Sequence, residues 1–155
     1  MATEPGSAGS RWAEADRGWE VLGEALATRL GSEPDVLVAY LFGSQARGTA
    51  GSRSDVDVAV LLAPDWPPAR DLDLIDAVAD VVGSERADVV VLNNAPVALA
   101  YRVISDGRPI VVNDEGARVR HWVETVDRYL DMAPLRRTLE QGLRHRLEED
   151  RFGRG

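Results

Sequence analysis

The sequence predicts an α/β sandwich, a small mixed β-sheet flanked by helices and followed by a C-terminal helical pair. Three observations carry this. Short apolar runs at 36–42, 55–62 and 87–92 alternate with stretches whose apolar residues recur every three or four positions. Gly and Pro punctuate the boundaries between them. No internal repeat interrupts the alternation.

Taken in order, residues 1–10 (MATEPGSAGS) mix Gly, Ser, Ala and Pro with polar residues and are expected to form a mobile tail. Trp12, Trp19, Leu22, Leu26 and Leu30 then recur at helical spacing until Gly31 and Pro34 end the helix. Val36–Phe42 is a continuous run of β-formers and reads as a buried strand. The segment 43–54, rich in Gly and hydroxyl residues, is a loop. Asp55–Leu62 alternates polar and apolar at first and then turns wholly apolar, so its mouth faces something polar and its remainder is buried. Pro64, Pro67 and Pro68 mark a loop, after which Leu72, Ile75, Val78 and Val82 form a helical stripe ending at Gly83. Ala87–Leu92 is a third strand, opened like the second by an Asp. A helix over Val97, Tyr101 and Ile104 stops at Gly107, and Pro109–Val112 fits a short edge strand, where proline is tolerated. Two helices follow, one with Val119, Trp122, Val126 and Tyr129 on a face, the other with Leu135, Leu139, Leu143 and Leu147 behind Pro134.

Composition closes off several classes. With no Cys among 155 residues there is no disulfide, thiolate-bound metal or Cys nucleophile. The longest apolar run is far short of the roughly 18 residues of a membrane helix. The N-terminus has neither a basic head nor an apolar stretch, so no secretory signal is expected and the cytoplasm is the default. The formal net charge is -8, Lys is absent, and acids dominate up to residue 117, whereas the remainder is slightly basic. Such a body is a poor non-specific binder of nucleic acid. A phosphate substrate handled in the acidic part needs divalent cations beside it.

The chemistry concentrates in Gly43-Ser-Gln-Ala-Arg-Gly48 and Ser54-Asp-Val-Asp57. Residues i and i+2 of a strand point the same way, about 6.6 Å apart, so Asp55 and Asp57 share a face. Two anions so placed repel, and burial of either raises its pKa. A hard cation such as Mg²⁺ relieves both costs, because it takes carboxylate and phosphate oxygens together. An isolated Asp-x-Asp is ordinarily no more than a wet strand end. Here a loop directly after a buried strand changes the reading: Gly43 admits a ligand close to the backbone, Ser44 adds a hydroxyl donor, and a helical turn after it would aim free N–H groups at an anion. If the first two strands are antiparallel neighbours, loop and carboxylates meet at one edge. A right-handed crossover through the helix at 71–82 would make strands two and three parallel and bring Asp88 alongside.

With these residues in hand a family comes into view. Gly-Ser, ten residues, then Asp-x-Asp resembles the nucleotidyltransferase superfamily related to DNA polymerase beta. The stretch GSQARGTAGSRSDVDVAVLL looks most like its minimal members, and ADVVVLNNAP and RPIVVND continue the likeness over roughly residues 35–150. It is nearest to the MntA-family antitoxins, partners of HEPN-domain ribonuclease toxins. The resemblance implies a nucleotidyltransferase fold over 11–150, with a core at about 35–113 and the C-terminal helical pair at about 115–150. It also implies a mechanism. Asp55, Asp57 and Asp88 would hold two Mg²⁺ ions, Gly43 and Ser44 would hold the outer phosphates of ATP, and Asp88 would take the proton of the attacking hydroxyl. The acceptor in that family is a tyrosine of the toxin, silenced by AMP. Relatives acting on aminoglycosides or tRNA ordinarily carry added acceptor domains.

Other residues admit plainer roles. Arg47 suits either a phosphate contact or a solvated loop, and Arg53 the surface. Asp71, Asp73, Asp76 and Asp80 alternate with apolar residues and read as the wet side of a helix. His121 and His145 lack triad or zinc spacing, and Ser52 and Ser54 lack a paired base. Trp12, Trp19 and Trp122 fall on apolar stripes and are expected in the core, while Trp66 suits a contact site or a loop folding back. The Leu135–Leu147 stripe would pack on the chain's own sheet or on a partner's helices. Two other functions stay open, an antitoxin that neutralises by contact alone and a small-molecule nucleotidyltransferase of the aminoglycoside type. No direct nucleic-acid or membrane partner is expected.

Overall fold

The computed structural model describes residues 8–43, 55–83 and 85–152. Helix α1 (Ala8–Gly31) leads into β1 (Val36–Phe42), β2 (Val56–Leu62), α2 (Arg70–Val82) and β3 (Ala87–Val91). A single 3₁₀ turn (Leu92–Asn94) precedes α3 (Val97–Asp106), β4 (Arg108–Val112), α4 (Glu115–Asp131) and α5 (Ala133–Phe152). Every predicted element is present. The helix α1 reaches back to Ala8, into the stretch expected as a tail.

The four strands lie in the order β3-β2-β1-β4. β1 is antiparallel to β2 and to β4, whereas β2 and β3 are parallel across the α2 crossover. β4 is therefore an edge, as its proline requires. Strand alternation divides the sheet into two faces. Val56, Val58, Val60 and Leu62 join Leu26, Leu30, Leu74 and Val78 beneath α1 and α2. Ala59 and Leu61 join Tyr40, Phe42, Ala100, Val103 and Ala117 beneath α3 and α4. Asp55 and Asp57 belong, by that alternation, to the second face. α4 is opened by Asp114, whose carboxylate accepts from the Ala117 amide at 2.9 Å and satisfies one of the helix's free donors. Tyr101 and Tyr129 stack at 3.6 Å between ring centroids and tie α3 to α4.

Burial corrects three expectations. In α2 the core side is Leu74, Ala77 and Val78, while Leu72 is 60% exposed. In α4 Trp122 is 47% exposed and Val119 46%, because small or polar residues, Ala117 and Thr125, meet the sheet and leave the bulky stripe outside. α5 does not bury its leucines against the sheet either, since Leu135, Leu139, Leu143 and Leu147 each keep more than half their surface. The side chains of Trp12 and Trp19 lie outside the described set. Asp71, Asp73, Asp76 and Asp80 are exposed as expected. Among the described residues no helix is long and apolar enough to cross a membrane.

An ion network pins the start of α2 to the turn before β1. Arg70 donates through Nε and Nη2 to the two Asp35 oxygens at 2.7 Å each, and Nη2 also reaches Glu33 at 2.7 Å. Glu33 in turn accepts from Arg29 at 2.6 Å. The bond from Arg29 and then that from Arg70 hold Glu33 below its ordinary range, and Arg70 does the same for Asp35. Both carboxyls bind protons more weakly folded than unfolded, so their contribution is complete above their unfolded pKa of about 4 and fades as pH falls through the lowered folded values. Removing the guanidinium strips the part-buried Asp35 of its bidentate partner and leaves Glu33 with Arg29 alone. Arg70→Ala is expected to lose about 2 kcal/mol in urea denaturation at pH 7, with the gap from wild type closing below about pH 4. An equal gap at pH 3 and pH 7 would show that the loss is packing alone.

Candidate active site

The polar mouth of β2 is built where three strands end. Antiparallel pairing sets Phe42, the last residue of β1, opposite Asp57. The next residue, Gly43, turns the chain with φ +77°, a conformation that side chains resist. The space is closed as well, because a Cβ on Gly43 would run into the Asp57 carboxylate. Glycine is thus required for both its backbone angle and its lack of a side chain. Ser44 and Arg47, the other expected phosphate contacts, lie outside the described residues.

On its other side β2 pairs in parallel with β3, in the register Val56 with Ala87 and Asp57 with Asp88. The expectation that the crossover aligns the two strand starts is met. Asp57 is half-buried, whereas Asp55 and Asp88 are exposed. Burial raises the pKa of Asp57, the charge of Asp88 raises it further, and a hydrogen bond between the two carboxyls adds to this. The charge of Asp55 acts in the same direction more weakly, and Arg102 on α3 opposes it. Asp57 and Asp88 therefore form the close pair. Among the described residues no three His, Asp or Glu groups form a ready-made cluster for an ion.

The donor chemistry of this pair fits a hard divalent cation. Two carboxylates held together at a cost in repulsion lose that cost when a dication lies between them. Arg102 is the residue that sequence reasoning missed. Its place on α3 is apparent from helical spacing, but its approach to Asp57 depends on how α3 crosses the sheet. His121 lines a separate cavity at the opposite end of this face, and His145 is an exposed residue 3.1 Å from Glu149. Trp66 folds back, half-buried, against the core.

The sign of the Asp57 shift yields a stability test. A carboxyl that binds its proton more tightly when folded stabilises the fold below its unfolded pKa, and this is lost as pH rises through the raised folded value. As pH rises wild type takes on the cost of charging Asp57 beside Asp88. Asp57→Asn is expected to raise Tm at pH 7 by about 2 °C or more, and to bring no gain below about pH 4. Thermal melts read by circular dichroism at the two pH values check it, and a lowered Tm at pH 7 would refute the repulsion.

Comparison with known proteins agrees with this geometry. The family model described as polymerase beta, nucleotidyltransferase matches residues 24–116, more than half of the chain, a span that holds Gly43, Asp55, Asp57 and Asp88. Protein adenylyltransferase MntA of Shewanella oneidensis is 32% identical over 77 residues, 50% of this chain and 55% of that protein. The chain thus spans about half the length of that curated relative. A solved toxin–antitoxin structure with AMP-PNP superposes with a TM-score of 0.68 at 24% identity, covering 78% of this chain and 97% of that one. A tri-AMPylated Shewanella oneidensis HEPN toxin in complex with MNT antitoxin gives 0.65 at 21% identity, covering 81% and 98%. These last two are likenesses of fold. By its family match, and with a mixed sheet that carries paired carboxylates beside a glycine turn, the chain belongs to the polymerase beta nucleotidyltransferase family.

Proposed function

We propose that this protein is the antitoxin of a HEPN/MNT toxin–antitoxin pair and a Mg²⁺-dependent protein adenylyltransferase, transferring AMP from ATP to a tyrosine hydroxyl of its HEPN ribonuclease partner. The observation that carries the reading is the Asp57–Asp88 pair, held in one register beside Gly43 within a nucleotidyltransferase sheet. The similarity to protein adenylyltransferase MntA supports the adenylyl group, and the likeness of fold to an MNT antitoxin in complex with a HEPN toxin supports the partner.

In this reading Asp55, Asp57 and Asp88 would hold Mg²⁺, which would supply charge neutralisation for the triphosphate and for the departing pyrophosphate. Gly43 keeps the backbone beside Asp57 so that the outer phosphates have room, and Ser44 and Arg47 donate to them. Asp88, the exposed member of the pair, accepts the proton of the incoming hydroxyl. The hydroxyl oxygen bonds to the α-phosphorus, the bond from that phosphorus to the oxygen bridging to the β-phosphate breaks, and pyrophosphate leaves with the electron pair. Few side chains are needed, because phosphoryl transfer rests on positioning and charge stabilisation. Arg102 fits a role in orienting Asp57 or the substrate's phosphates.

A second reading draws on a different observation. The exposed leucines of α5 and Trp122 of α4 suit an antitoxin that neutralises by contact without catalysis. The two are separated by incubating the purified protein with labelled ATP, Mg²⁺ and the product of the adjacent gene. The enzyme reading expects label on a partner tyrosine, and a loss of about 100-fold or more in Asp57→Ala. Full neutralisation of the ribonuclease by Asp57→Ala, with no label on the partner, would establish contact instead. Label on an aminoglycoside with no protein partner present would establish the small-molecule reading.

A further inference from the structure

At the far end of the same sheet face lies a cavity of about 370 Å³ that the carboxylate site does not use. The two are separate, because Ala59, wholly buried, stands between Asp57 and the cavity residue Leu61 along β2. The cavity floor is apolar, formed by the buried Leu61 and Leu92. Asn93, at its edge, has its amide committed to the fold. Its Oδ1 accepts from the Leu62 amide and its Nδ2 donates to the Leu62 carbonyl, both at 2.8 Å.

One wall is Trp66, carried there by a turn at Asp65. That residue has φ +66°, the one non-glycine positive value among the described residues. Strain of this kind persists where the surroundings enforce it. The facing wall is one stripe of α4, with His121, Glu124, Thr125 and Arg128 at helical spacing. His121 is poorly satisfied by the fold itself. Its Nδ1 is buried with no hydrogen-bond partner among the described residues, and its Nε2 lies 3.5 Å from the Thr125 hydroxyl, long for a bond. Burial lowers its pKa and keeps the ring neutral at pH 7. Half a turn about the Cβ–Cγ bond exchanges ring nitrogens for carbons without changing the ring's shape, so a nitrogen can face the cavity at little steric cost.

The wall chemistry selects a ligand class. The volume suits a small molecule. An indole wall favours planar rings and, through its face, cationic ones. The carboxylates of Asp65 and Glu124 outnumber the Arg128 guanidinium, so acceptors and negative charge prevail. That disfavours phosphates and favours N–H donors. We propose that this cavity is a second binding site, for a planar heteroaromatic amine of nucleobase size, neutral or singly cationic, and not for a nucleotide.

The chain has only two His, so the ring ¹⁵N signals of His121 and His145 report the site directly. Adenosine and 2-aminobenzimidazole are the probes, titrated without Mg²⁺ into the full-length protein, with ATP as the anionic control. Saturable shifts at His121 and none at His145 are expected, with Kd about 1 mM or tighter for at least one probe. The responding probe tells a nucleoside from a non-nucleoside amine. ATP is expected to bind this cavity about tenfold more weakly or not at all. Trp66→Ala is expected to weaken binding by about tenfold, and Ala95→Leu, which adds bulk to the cavity lining, supplies a second variant should the first unfold. The proposal is overturned if neither probe moves His121 up to about 10 mM, if ATP moves it as readily, or if both folded variants bind like wild type. Neither result bears on AMP transfer, which Trp66→Ala should leave unchanged.

Discussion

Two like charges held side by side by a backbone ladder are the constraint on which the rest of the molecule turns. Asp57 and Asp88 face each other because β2 and β3 run parallel in one register. That register exists because α2 carries the chain over the sheet in a single crossover. Asp57 cannot retreat far, since it is half-buried with Gly43 closed against it. When both are ionised the protein therefore holds a repulsion that Arg102 opposes only in part. An arrangement of this kind costs stability and is what a polyvalent, cation-bearing substrate would relieve.

The two faces of the sheet divide the work. Beneath α1 and α2 the packing is wholly apolar, and the nearby charges are satisfied, with Arg70 bonded to both Asp35 and Glu33. Beneath α3 and α4 the apolar centre is short. It gives way to unrelieved carboxylates at one end and to a cavity with an unsatisfied imidazole at the other. Stability is concentrated on the first face and chemistry on the second. The outer sides of α4 and α5 add apolar surface that the chain does not cover, with Trp122 and the Leu135–Leu147 series standing in solvent. Surface of that size on two consecutive helices is characteristic of a protein that works against another.

Local pattern was sufficient where one physical rule governed. Seven consecutive apolar residues at Val36–Phe42 and the switch from alternating to apolar at Asp55–Leu62 admit little but buried strands, and both appear with those bounds to within a residue. Gly43 after a buried strand signalled room for a ligand beside the backbone, and in the fold the group that its missing side chain makes room for is the Asp57 carboxylate. Helical stripes were less informative, because periodicity yields a face without saying what lies opposite. Leu72 and Leu74 are two positions apart and equally apolar, yet only Leu74 is buried. Trp122 follows the same logic, for its stripe was real but turned away from the sheet.

The sequence by itself determined the order of strands and helices, the paired Asp at the mouth of β2 and the glycine that follows β1. Each is set by interactions between residues close along the chain: alternation, turn chemistry and short-range repulsion. Only the tertiary structure decided that Asp88 rather than Asp55 is the near partner of Asp57, that the charge of Arg102 acts on Asp57, and that Trp66, His121 and Leu92 line one cavity. Those contacts join segments tens of residues apart. Their geometry depends on how each helix is rotated against the sheet, a balance of packing across the whole core that no local pattern encodes.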